Sequence, residues 1–87
     1  MSNTYQIFLI SDSTGETLDR IFLSLKAQFK NIDYKVNSYS FTRTENQILK
    51  ILDLAKNQSN SIILYTIVDN NLAKFLANNC DEKKIPF

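Results

Sequence analysis

The sequence predicts an α/β fold, a βαβαβα fragment of a three-layer architecture built on a parallel sheet. Three observations carry this. Apolar or alternating strand-like runs recur three times, at Tyr5 to Ile10, Tyr34 to Phe41 and Ser61 to Val68. Each run is followed by a stretch whose apolar residues recur at helical spacing. Between run and stretch stand hydroxyl or acidic residues of the kind that start helices. Strand alternating with helix is the pattern of βαβ units. Right-handed crossovers then favour the strand order 2-1-3.

The first strand is read as Tyr5 to Ile10, because Ile7-Phe8-Leu9-Ile10 is unbroken by polar residues. The turn Ser11-Asp12-Ser13-Thr14-Gly15-Glu16-Thr17 holds the chain's single glycine. Ser13 is read as an N-cap, with Glu16 completing a capping box. The first helix is expected from about Thr14 to Phe29, burying Leu18, Ile21, Phe22, Leu25 and Phe29. Asn31 to Asp33 reads as a turn. The second strand, Tyr34 to Phe41, carries Lys35, Asn37, Ser38 and Ser40, which places it at a sheet edge. The second helix begins near Thr44, with Thr42–Glu45 and Thr44–Gln47 as overlapping capping boxes. Its buried stripe is Ile48, Ile51, Leu52 and Ala55, widened by Leu49. Asn57 to Asn60 is a polar turn. The third strand, Ser61 to Val68, has the apolar run of a central parallel strand. Asp69 caps the third helix, whose face is Leu72, Phe75 and Leu76 and whose last residue is Cys80. Asp81 to Lys84 is a charged turn, and Ile85-Pro86-Phe87 reads as the start of a fourth strand beside the third. The expected organisation is one α/β domain over residues 1–87, the N-terminal piece of a longer protein.

Totals exclude several classes. Net charge is +1, from 10 basic and 9 acidic residues, which argues against a nucleic-acid or membrane surface. No apolar run approaches the length of a bilayer span. The N-terminus, Met1-Ser2-Asn3-Thr4, shows no basic and apolar leader pattern, so a cytoplasmic location is expected. Histidine is absent, and Cys80 is the single cysteine. Histidine base catalysis is therefore excluded, and no metal site is expected.

Ligands of open α/β sheets bind outside the carboxyl ends of the strands. The residues expected there are Asp12, Ser13, Thr14 and Gly15 after the first strand, Arg43 after the second, and Thr66 and Asp69 after the third. Hydroxyls, a glycine and backbone N–H groups at a helix start form an anion cradle. An arginine on the same rim adds a fork-shaped donor for phosphate or carboxylate. Helix capping alone also accounts for Ser13, Glu16 and Asp69. Cys80 reads as a small, partly buried residue.

Thr14-Gly15-Glu16-Thr17 resembles the T-G-x-T portion of the flavodoxin phosphate loop, with Asp12 standing where flavodoxins carry a hydroxyl residue. A broader likeness runs along the chain. Phe8-Leu9-Ile10-Ser11-Asp12-Ser13-Thr14-Gly15-Glu16-Thr17, Ala27-Gln28-Phe29, Arg43-Thr44-Glu45, Ile63-Leu64-Tyr65-Thr66-Ile67-Val68-Asp69 and Ile85-Pro86 together resemble the N-terminal part of the pyruvate, phosphate dikinase regulatory protein family. The related regulators of phosphoenolpyruvate synthetase are similar, with a less close first loop. The resemblance implies a bifunctional enzyme whose partner is pyruvate, phosphate dikinase. Such an enzyme phosphorylates a threonine of the dikinase with ADP as donor. It removes that phosphate with inorganic phosphate, releasing pyrophosphate. The family's nucleotide site is a downstream P-loop, and no G-x-x-x-x-G-K-[ST] occurs here. No catalytic residue is therefore assigned within this chain, and ADP and phosphate are expected as substrates of the longer protein only. The alternatives are a flavodoxin-like phosphate or nucleotide binder and a non-catalytic domain that docks the partner enzyme.

Overall fold

The computed structural model describes residues 4–27, 33–58 and 60–87. Its elements are β1 (Tyr5–Ser11), α1 (Glu16–Lys26), β2 (Tyr34–Tyr39), α2 (Glu45–Lys56), β3 (Ser61–Thr66) and α3 (Asn70–Lys83). The sheet is parallel throughout and ordered β2-β1-β3, as the alternation of strand and helix predicts.

β1 is the central strand, and its sequence explains why. Ile7, Phe8, Leu9 and Ile10 point alternately to opposite faces, yet each is at most 3% exposed. Both faces of the strand are thus covered. Ile7 and Leu9 pack with Leu18 and Phe22 of α1. Phe8 and Ile10 pack with Ile48, Leu52, Leu76 and Cys80 from α2 and α3. The result is three layers, with α1 on one face and α2 with α3 on the other. Each large apolar side chain buried this way contributes about 1.5–3 kcal/mol of transfer free energy. β2 borders β1 alone, and Lys35, Val36 and Ser38 stay exposed, as an edge strand allows.

Several boundaries differ from expectation. β2 stops at Tyr39 rather than Phe41, because Phe41 turns to a left-handed φ of 55° and leaves the pleat. β3 stops at Thr66, and Val68 is 86% exposed. α1 begins at Glu16 rather than Thr14, and Ile21, placed on its buried face by periodicity, is exposed. The expected end of that helix at Phe29 and most of the turn from Asn31 to Asp33 lie outside the described residues. α3 passes Cys80 and takes in Asp81–Lys83, ending on Lys84 in the left-handed conformation. Cys80 is fully buried rather than partly buried. Ile85-Pro86-Phe87 is not assigned as a strand, although the Ile63 N–H donates to the Pro86 carbonyl at 2.8 Å.

Candidate functional site

Three strand-to-helix loops meet at the carboxyl end of the sheet. The β1–α1 loop is stitched to the β2–α2 loop by main chain. Thr42 N donates to the Ser11 carbonyl at 2.8 Å, and Phe41 N donates to the Ser13 carbonyl at 2.9 Å. Across the other border of β1, Asp12 N donates to the Thr66 carbonyl at 3.3 Å, and Val68 N donates to Asp12 Oδ2 at 2.8 Å. Asp12 therefore sits between β1 and β3, where the chain's crossovers diverge to opposite faces. This is the switch point at which doubly wound sheets place their ligands.

Arg43 crosses this junction. Its Nε–H donates to the Asp12 carbonyl at 2.9 Å, and its guanidinium lies 5.3 Å from the centre of the Phe41 ring. Cation–π stacking of this kind orients a guanidinium without consuming its donors. Asp12, Arg43, Val68, Asp69 and Leu72 line an open groove of about 380 Å³. Both carboxylates on this groove make hydrogen bonds to main chain. Asp12 takes the Val68 N–H, and Asp69 takes the Leu72 N–H at 3.0 Å as the cap of α3.

Five of the seven expected rim residues fall into two groups. Asp12, Arg43 and Asp69 share the groove just described. Thr14 and Gly15 line a smaller pocket of about 60 Å³ on the α1 side, with Ser11, Leu18, Asp19 and the end of β2. Ser13 is exposed above the Ser11 hydroxyl, which accepts the Ser13 N–H at 3.2 Å. Thr66 Oγ1 lies 3.5 Å from Ser11 Oγ, the long limit of a hydrogen bond.

Capping differs from the sequence reading at one helix and matches it at two. Gly15, not Ser13, is the N-cap of α1, at a φ of 87° and with no side-chain hydrogen bond. Thr14 Oγ1 lies 3.5 Å from Glu16 N, a weak substitute. Of the two boxes proposed for α2, Thr44–Gln47 forms in full. Thr42 is instead buried, and its hydroxyl donates to the Tyr39 carbonyl at 3.4 Å.

Sequence reasoning read Ser11 as part of the hydroxyl turn and Phe41 as the end of the second strand, and counted neither among the site residues. Ser11 is 2% exposed and joins the Ser13 and Thr66 hydroxyls. Its position directly after an apolar strand was the available signal. For Phe41 there was none, because an aromatic at positive φ runs against local propensity.

Other chemistry is limited. Burial, and secondarily the neighbouring Asp81 carboxylate, push the Cys80 thiol up to about 11. It stays protonated and unreactive at neutral pH. Among the described residues no group of three or more acidic or cysteine side chains is placed to hold a metal ion. Among them, too, no helix is long and apolar enough to cross a membrane.

Comparison with known proteins bears on the whole chain. A family model described as kinase/pyrophosphorylase matches residues 7–87. A protein of Pelagibacter ubique strain HTCC1062, named as a pyruvate, phosphate dikinase regulatory protein, is 77% identical over 86 residues. The match covers 99% of this chain and 31% of that protein. A protein of the same name from Geotalea uraniireducens strain Rf4 is 41% identical over 80 residues, covering 92% of this chain and 29% of that protein. One from Alkaliphilus oremlandii strain OhILAs is 38% identical over 81 residues, covering 93% of this chain and 29% of that protein. The chain thus spans about a third of the length of these relatives.

Proposed function

The chain belongs to the kinase/pyrophosphorylase family, and from this premise we propose that it is the N-terminal α/β module of a regulator of pyruvate, phosphate dikinase. That regulator phosphorylates a threonine of the dikinase with ADP as donor. With inorganic phosphate it removes the phosphoryl group again and releases pyrophosphate. The observation that carries the reading is likeness over residues 7–87, in order, to a family described by both activities. The named relatives, about three times as long, support a longer working protein. Phosphoryl transfer needs charge and positioning around the transferred group, typically from a phosphate-cradling loop with its lysine. No such motif occurs in these residues. The 87-residue chain alone is therefore expected to show no ADP-dependent phosphorylation of the dikinase, checked by phosphothreonine detection on the purified target. The working place of the protein is the cytoplasm, beside that target.

Within the longer protein, the rim formed by Asp12, Ser13, Thr14, Gly15, Arg43, Thr66 and Asp69 binds an anionic group. This group is free phosphate or the phosphothreonine segment of the target. The support is geometric. The N-cap of α1 makes no side-chain hydrogen bond, and the first turn has only the long Thr14 Oγ1 contact to Glu16 N at 3.5 Å, so its N–H groups and dipole favour negative charge. Arg43 is held by the Asp12 carbonyl and stacked on Phe41. A charge-assisted hydrogen bond is worth about 1.5–3 kcal/mol, so Arg43→Ala should weaken anion binding by about one to two orders of magnitude. The test is made in the full-length protein. Phosphate dependence of dephosphorylation and affinity for the phosphorylated dikinase are measured alongside the urea midpoint. Parent-level values of all three would leave the rim a purely structural feature.

A docking-only role is the second reading. The exposed Phe41 and Val68 at this rim favour it. It predicts that Arg43→Ala lowers affinity for the dikinase while the phosphate dependence of turnover is unchanged.

A further inference from the structure

We propose that the outer edge of β3 is paired, in the working protein, by the segment that directly follows Phe87. That segment forms a fourth strand parallel to β3, next to it in the sheet. This inference does not rest on the anion-binding reading of the rim.

The backbone of a parallel strand directs successive residues' hydrogen-bonding groups to opposite sides. Gln6 N donates to the Asn60 carbonyl, and Asp12 N donates to the Thr66 carbonyl. The even-numbered residues of this stretch therefore face β1. Ser61, Ile63 and Tyr65 then direct their N–H and C=O groups away from β1, to the outer edge. On that side the Ile63 N–H donates to the Pro86 carbonyl at 2.8 Å, the first rung of a ladder. In a parallel ladder the next rungs follow by alternation. The second residue after Pro86 donates its N–H to the Ile63 carbonyl, and its own carbonyl accepts from the Tyr65 N–H.

Side chains agree with this direction. Proline has no N–H to give and is tolerated as the first residue of a strand, where only its carbonyl is needed. Ile85, just before it, is buried in the α2–α3 core at 6% exposure. Phe87, just after it, brings its ring centre to 6.5 Å from that of Tyr65. The chain therefore leaves α3, anchors Ile85, and runs alongside β3 in the parallel sense. β3 is apolar on both faces, with Ile63 in one core cluster and Leu64 packed against the other. Such a strand suits a position inside a sheet. Left as an edge, it would offer unpaired main chain to other molecules. The named relatives are about three times as long as this chain, which leaves ample length for a further strand. Pro86 and Phe87 already occupy the start of the edge, which disfavours a second copy of β3 there.

The experiment is amide hydrogen exchange resolved by residue. It is run on the 87-residue chain and on the full-length Pelagibacter ubique relative. In the short chain the Ile10 and Ile63 amides should be protected and the Tyr65 amide should exchange quickly, at every protein concentration. In the full-length relative the amide aligned with Tyr65 should slow by about two orders of magnitude and join the protected class. Slow exchange at the Ile10 position in both proteins shows that the sheet is folded. Fast exchange at the Tyr65 position in the full-length protein would overturn the proposal. So would protection of Tyr65 in the short chain that grows with concentration, which would assign the edge to a second copy.

Discussion

α1 and α2 both follow a parallel strand, and both are preceded by a capping-box motif, Ser13 with Glu16 and Thr44 with Gln47. Only the second box forms. At α2 the Thr44 hydroxyl accepts from Gln47 N at 3.2 Å, and the Gln47 side chain accepts from Thr44 N at 3.1 Å. The same Gln47 oxygen takes the Arg43 N–H at 2.7 Å. At α1 the motif is overridden by one local and one tertiary bond. The Ser13 N–H is taken by Ser11 Oγ, and its carbonyl by Phe41 N. Those contacts hold Ser13 in the loop, and the helix starts after Gly15 instead. A helix start that satisfies itself is a structural feature. One whose N-cap makes no side-chain hydrogen bond leaves first-turn N–H groups open to another acceptor.

The largest break in this comparison comes from Gly15. Its φ of 87° is left-handed, and an added Cβ would meet nothing closer than Ser11 Cβ at 3.8 Å. Space is therefore not the obstacle, and conformation is. Gly15→Ala should cost about 1–2 kcal/mol, the left-handed penalty of a side-chain-bearing residue. Urea unfolding should show a lower midpoint with an unchanged slope. Gly15→Asn should recover part of the loss, because asparagine tolerates this region. Equal midpoints for all three would mean that the loop takes another conformation.

Thr44→Ala comes next. It removes a hydroxyl cap and should cost about 1 kcal/mol, with Thr44→Ser close to the parent. The loss lies at α2 and should leave phosphate dependence of the full-length protein unchanged.

How far these differences were legible in the sequence depends on their range. Strand order, sheet sense and the burial of β1 followed from periodicity and crossover handedness, which are local or topological rules. The cap of α3 by Asp69 and the box at α2 followed from short-range hydrogen bonding. The start of α1 did not, because it is decided in part by the Phe41 N–H on the Ser13 carbonyl, a bond made only once the sheet has formed. Phe41 was hidden for the same reason. Its left-handed backbone answers to the Ser13 carbonyl, some thirty residues away in sequence, rather than to its neighbours. The rim was legible as a list of residues at strand ends. Its division into a groove with Arg43 and a pocket with Gly15 was not, since that depends on which face each helix covers.

The smallest effect separates the two accounts of Ser13 most cleanly. If Ser13 were the cap of α1, Ser13→Ala would cost about 1 kcal/mol, like any lost hydroxyl cap. Among the described residues its Oγ hydrogen-bonds only the Ser11 hydroxyl, at 3.4 Å, and its other bonds are made by its main chain. Alanine keeps those main-chain bonds. Ser13→Ala should therefore shift stability by less than about 0.5 kcal/mol, as exposed substitutions away from special features do. Because the fold is left intact, the same variant reads the rim directly. A loss of phosphate dependence in the full-length protein, with the urea midpoint unmoved, would mark the Ser13 hydroxyl as a ligand contact. A destabilisation near 1 kcal/mol would instead restore Ser13 as the cap of α1.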